Sequence, residues 1–160
     1  MKKVFLILLV AIVSISSCEK RKHCKGRTSD TISGIIVSNH DFGECFQDYI
    51  APPPEEYVIN DTATYNTIGL YRYTSKSNCQ TATYPIIDFS QYTLLGKYAT
   101  GGCNVGYKRE VTRDDVNKKY IYTVTVCNYG MCKVLRMDMN WVLVPKLPQG
   151  YTVEFIKKEY

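Results

Sequence analysis

The chain has 160 residues, with twenty Lys and Arg against fifteen Asp and Glu, a formal net charge of +5. So mild an excess excludes the strong basic stripe of a nucleic-acid binder, and the length is that of one domain of ordinary size. Fourteen tyrosines, five phenylalanines and one tryptophan favour strands over helices, and the scarcity of alanine from residue 18 onward argues against a helical bundle.

The N-terminal segment comes first in the chain. Met1-Lys2-Lys3 is a short positive start, and Val4 to Val13 is an unbroken run of ten apolar residues. A spanning helix needs about 20, so the run is too short to be an anchor helix. A positive start, a short apolar core and small residues ahead of a cut site describe a secretory signal. Its last residues, Ile15-Ser16-Ser17-Cys18, resemble the bacterial lipobox: a branched apolar residue, two small residues and a cysteine. The resemblance implies a lipid anchor: diacylglycerol on the Cys18 sulfur, cleavage before Cys18, and a third acyl chain on its new amino group. Each buried CH2 is worth about 0.8 kcal/mol, and two or more chains anchor stably. The other reading is an ordinary secreted protein with Cys18 in a disulfide. Glu19 is not the aspartate that marks inner-membrane retention in well-known lipoproteins, so the same resemblance favours the outer membrane of a bacterial envelope. The division is then a signal peptide over 1–17, a basic tether over 18–30 and a single β-rich domain over 31–160. Cleavage leaves 143 residues, with eighteen basic against fifteen acidic side chains, or +3.

Lys20, Arg21, Lys22, Lys25 and Arg27 make the tether basic. They read as a solvated linker, or as an attraction to anionic head groups worth about 1 kcal/mol per charge close to the surface. Six further cysteines follow Cys18: Cys24, Cys45, Cys79, Cys103, Cys127 and Cys132. An even number in an exported chain implies disulfides, with fifteen possible connectivities. One pair has a local argument. Cys127 and Cys132 flank Asn128-Tyr129-Gly130-Met131, a turn-forming sequence, and could face each other across a hairpin. Cys24, placed in the tether, is then the one expected to stand apart.

Thr31 to Ser38 reads as a strand, Cys45 to Tyr49 as a second short one, and Pro52-Pro53-Pro54 as a stiff exposed spacer. Tyr57-Val58-Ile59 is a short strand, and Asn60-Asp61-Thr62 offers N-cap side chains to a main helix over Ala63 to Tyr71. From Ile86 the pattern is continuous β: Gln91 to Tyr98, Val105 to Thr112, Lys118 to Cys127, Cys132 to Met139, Asn140 to Val144 and Tyr151 to Lys157. Within Lys118 to Cys127, Tyr120, Tyr122, Val124 and Val126 fall on one face and Ile121, Thr123, Thr125 and Cys127 on the other. Together these predict an α+β domain, an antiparallel β-meander with one main helix.

A catalytic set does not emerge. His23 and His40 sit in polar loop sequence, neither near a serine or cysteine in a recognisable nucleophile setting, and His23-Cys24 lacks a second ligand pair for a metal. Asp114-Asp115 sits in a turn without the further oxygen ligands of a Ca2+ loop. Four residues separate Cys127 from Cys132, where a redox site has two. No enzyme activity and no cofactor are expected. Tyr71, Tyr73, Tyr84, Tyr92, Tyr98, Tyr107, Tyr120, Tyr122 and Tyr129 supply aromatic faces that either build the core or, on a solvated sheet face, stack on sugars or anchor a protein.

Ile87-Asp88-Phe89-Ser90-Gln91-Tyr92-Thr93-Leu94-Leu95-Gly96 resembles the C-terminal domain of the PrcB-type protease-complex subunit family, with Tyr57-Val58-Ile59-Asn60 as its lead-in and Trp141-Val142-Leu143-Val144-Pro145-Lys146 as its closing strand. The likeness spans about residues 55–158. That family places Gly-Gly-Tyr after the Leu-Leu-Gly strand, whereas here Gly101-Gly102-Cys103 comes first and Tyr107 later. The resemblance implies a small non-enzymatic β-rich domain that binds or stabilises an exported partner. The expected function is a lipid-anchored accessory or binding protein of the envelope. A glycan-binding lipoprotein and a purely structural one are the alternatives.

Overall fold

The computed structural model describes Cys24 and residues 30–47, 55–129 and 134–160. In chain order the elements are β1 (Thr31–Gly34), β2 (Ser38–Asn39), β3 (Phe46–Gln47), β4 (Glu56–Ile59), α1 (Thr62–Asn66), β5 (Tyr71–Arg72), a 3-10 turn (Ser77–Cys79), β6 (Tyr92–Gly102), β7 (Val105–Asp114), β8 (Lys119–Asn128), β9 (Leu135–Pro145) and β10 (Thr152–Glu159). They form one four-stranded sheet in the order β1-β7-β8-β10, a second in the order β2-β9-β6-β4, and a two-stranded ribbon of β3 and β5. The fold is predominantly β. The expected α+β meander with one main helix is therefore corrected on both counts.

The helix fails for a local reason. Asp61 caps it, accepting from the Thr64 amide at 2.8 Å, but Thr67 returns its hydroxyl to the Thr64 carbonyl at 2.7 Å and Gly69 takes φ +69°. A helix of five residues lies far below the length that holds by itself, and what remains is held by the cap and by burial of Tyr65. Tyr71, expected at the helix end, belongs to β5.

The meander fails because the long strands divide between two sheets. β7 and β8 form an antiparallel hairpin, while β6 pairs with β9 in the other sheet over eleven residues. β1 and β10 join the first sheet in parallel register, on β7 and β8 respectively. The chain crosses between sheets directly after β1. There Gly34 has φ +75°, and a Cβ would lie 2.0 Å from the Val111 carbonyl oxygen, so only glycine fits.

The two sheets bury one core between them. Tyr120, Tyr122, Val124 and Val126 of β8 meet Leu95 and Ala99 of β6 and Val142 and Val144 of β9. The alternation read in the sequence groups these four β8 residues on one face, the structure turns that face inward, and Val153 and Phe155 of β10 pack against the core. The second sheet is covered on its other face as well. Leu94, Met139 and Trp141 pack there beneath Phe42, Tyr65, Ile87 and Phe89, contributed by loops and α1. With both faces covered, β6 is buried without a break from Thr93 to Lys97.

Candidate binding surfaces

The cysteines shape the surface. Cys24 is bonded to Cys127, with Cα atoms 5.6 Å apart, and Cys45 to Cys79 at 5.2 Å. Cys103 is disulfide-bonded too. The local hairpin pair expected of Cys127 and Cys132 does not form, and Cys24 does not stand apart: Cys127 takes Cys24 across a sequence separation of 103. The reason is register. Cys127 lies opposite Gly106 near the end of β8, where the incoming chain passes. Tyr129 hydroxyl donates to the Cys24 carbonyl at 2.9 Å, and Asp30 receives both the Arg109 guanidinium at 2.8 Å and the Tyr107 amide at 3.0 Å. Cys18, Cys132 and His23 lie outside the described residues.

The Cys45–Cys79 bond closes a small lobe around the β3–β5 ribbon. Phe46 pairs with Arg72 and Gln47 with Tyr71. The Arg72 guanidinium lies over the Phe46 ring at 5.6 Å and donates to the Gln80 carbonyl at 3.3 Å. Lys76 covers the Tyr73 ring at 5.1 Å, and Tyr73 packs edge-on against Tyr71 at 5.5 Å. Asn78 reaches Glu44 across the base of the lobe at 3.2 Å, and Tyr73 hydroxyl donates to Gln47. The lobe rests on the body of the protein through Phe46 and Tyr84, whose rings are 4.7 Å apart. Its outer surface thus presents Tyr71, half exposed at 50%, beside cationic side chains already seated on rings.

The other tyrosines are used differently. Tyr65, Tyr107, Tyr120 and Tyr122 are buried, and Tyr73, Tyr84, Tyr92, Tyr98 and Tyr129 are partly so. Burial raises the Tyr65, Tyr107 and Tyr122 hydroxyls well above the usual phenol range, with the Tyr84 hydroxyl adding to the first and Asp138 to the second. Tyr122 donates to the Asn140 carbonyl at 2.8 Å. Apart from Tyr65, these tyrosines stand out in the sequence, but which of them are buried depends on which face each sheet turns inward.

A second concave surface lies on the outer face of the first sheet. Thr31, Ser33, Lys108, Glu110, Thr123 and Lys158 line a cleft of about 310 Å³. Hydroxyl, ammonium and carboxylate groups converge there from β1, β7, β8 and β10.

His40 sits beside a smaller cavity of about 160 Å³, between Phe42, Met139 and Trp141. Tyr65 gives its single proton to the Pro85 carbonyl at 3.0 Å, so the His40 Nε2 at 2.9 Å donates to the Tyr65 oxygen. Desolvation lowers the His40 pKa, and the Asp41 charge opposes this more weakly. Among the described residues, no group of three or more His, Cys, Asp or Glu could hold a metal ion, and no helix is long and apolar enough to cross a membrane.

Compared with protein-family models, curated proteins and solved structures, the chain has no significant match.

Proposed function

We propose that the protein is a lipid-anchored accessory protein of the bacterial cell envelope, held at the outer membrane by acyl chains on Cys18, that binds an exported partner protein and performs no catalysis. The anchor rests on Ile15-Ser16-Ser17-Cys18. The binding role is carried by one observation: the lobe stapled by Cys45–Cys79 holds Tyr71 and Arg72 at the surface while most of the tyrosines elsewhere are built into the protein. Tyr and Arg are the side chains that dominate protein–protein binding energy, and a disulfide lowers the ordering cost of presenting them. The likeness of Ile87 to Gly96 to PrcB-type subunits points the same way.

The test has two parts. Palmitate labelling should vanish in Cys18→Ala; unchanged labelling ends the anchor reading. Pull-down from solubilised membranes should recover a stoichiometric protein, and Tyr71→Ala with Arg72→Ala should weaken its capture by roughly thirtyfold or more, as for a hot-spot pair. Equal capture by the double variant removes the lobe from the interface.

The cleft on the first sheet favours a second reading, a saccharide held by its hydroxyl and charged groups. Of the tyrosines, Tyr160 lines this cleft. Glycan-array binding that is lost in Lys108→Ala supports this reading, and silence on the array dismisses it.

A further inference from the structure

One end of the sandwich carries three features that belong together. The first is the Cys24–Cys127 bond. The second is the junction of the two sheets: Asn128 Oδ1 accepts from the Gly102 amide at 2.8 Å, and the Tyr129 amide donates to the Asn104 carbonyl at 2.9 Å. The third is an apolar patch at the start of β9. Leu135 lies opposite Gly102 and Met137 opposite Thr100, and Val134, Leu135 and Met137 are 65%, 69% and 59% exposed. Leu135 and Met137 follow the parity of Met139 and Trp141, but among the described residues none packs over the sheet face at this end as Phe42 and Phe89 do further along. Arg136, between them, is paired with Asp138 at 2.7 Å.

We propose that this end of the molecule is a membrane-facing surface, with Leu135 and Met137 seated in the lipid interface and the Cys24–Cys127 disulfide acting as the short leash that keeps them there. The proposal rests on the reading of Cys18 as the acylated residue. Its warrant is chain length. Cys18 and Cys24 are six residues apart, so whatever their conformation they span at most about 20 Å. Cys24 in turn is fixed to β8 and held by Tyr129. Without the disulfide the next described residue held to the domain is Asp30, twelve residues from Cys18, and the reach to it is about 40 Å. The bond therefore confines the Cys127 end to the membrane surface, and the exposed large apolar side chains that cluster there meet a medium suited to them. The opposite end, with the β7–β8 turn and Val116 at 92% exposure, is held away.

The experiment uses the full acylated chain in vesicles of phosphatidylethanolamine and phosphatidylglycerol doped with a phosphatidylcholine brominated on its acyl chains. Leu135→Trp and Val116→Trp are compared, with the buried Trp141 of the unaltered protein as background. Leu135→Trp should lose roughly half of its added emission to the bromines and shift to the blue, as a side chain in the interface does. Val116→Trp should lose none. Carrying Leu135→Trp into Cys24→Ser/Cys127→Ser should abolish the quenching while the protein still floats with the vesicles. Flotation with an unquenched Leu135→Trp overturns the proposal and leaves the anchor intact. Failure to float overturns the anchor and the proposal together. Equal quenching with and without the disulfide removes the leash. A blue shift that persists without vesicles, with sedimentation as a dimer, assigns the patch to a second copy of the chain and also overturns it.

Discussion

The second sheet is covered by strands on one face and by loops on the other, and the two coverings are built on different physics. Between the sheets, β-branched and tyrosine side chains from four long strands interlock at fixed spacing, and strand pairing settles each position. On the far side, rings from loops, α1 and β9 meet edge to face: Phe42 against Trp141 at 5.4 Å, Tyr65 against Phe89 at 5.6 Å and His40 against Phe42 at 4.7 Å. Here backbone pairing is sparse, so side-chain bonds and a disulfide replace it. The strand-built face specifies a shape by periodicity. The loop-built face allows insertions such as the stapled lobe, and that is where a binding surface can be added without disturbing the sandwich.

Five measurements would break or sharpen this contrast. The largest effect is expected from Cys24→Ser/Cys127→Ser. A bond across a separation of 103 residues constrains the unfolded chain by about 5 kcal/mol in the chain-entropy model, and urea unfolding should show a loss approaching that. Next, Leu95→Ala between the sheets should cost about 3 kcal/mol. Phe46→Ala at the base of the lobe, where the ring is only partly buried, should cost about 1 kcal/mol. Equal losses in the two would mean that the lobe is as integral as the sandwich. Comparable to Phe46→Ala is Gly96→Ala. Its Cβ would lie 2.5 Å from Trp141 Cζ3, so the indole must move, at about 1–2 kcal/mol, and Trp141 emission should shift. The smallest is the effect of pH through His40. Its folded pKa is lowered by burial, so the stabilisation from its neutral form is complete above the unfolded value of about 6.5 and is lost as pH falls toward the folded value. A stability profile between pH 7 and pH 5 should decline on acidification, and His40→Gln should flatten it. An unchanged slope would place the titrating group elsewhere.

Much of the strand-built face was legible. Tyr120, Tyr122, Val124 and Val126 were assigned to one face from alternation alone, and they are the buried face of β8. The helix expected over Ala63 to Tyr71 stops at Asn66 because an N-cap announces a helix without saying how long it lasts, and Gly69 takes φ +69°. Cys132 to Met139 and Asn140 to Val144 were read as separate runs. The described residues show one strand from Leu135 to Pro145, because Asn140 is buried and bonded to the Lys97 carbonyl at 3.3 Å and to the Arg109 guanidinium at 2.8 Å. A polar residue inside a strand looks like a break until its partners are known. The lobe carried one signal, Cys45 and Cys79 bracketing Tyr71 and Arg72, but no local rule pairs cysteines separated by 34.

By itself the sequence determined the dominance of β structure after Ile86, the grouping of side chains into the two faces of the clearest strand and the motif around Cys18. These depend on near neighbours, whose spacing repeats every two residues. Only the tertiary structure decided that the strands divide into two sheets, that Cys127 takes Cys24, and that Leu135 and Met137 stand uncovered at the same end. Those outcomes join residues far apart in the chain, and which distant groups meet is set by packing the whole domain at once.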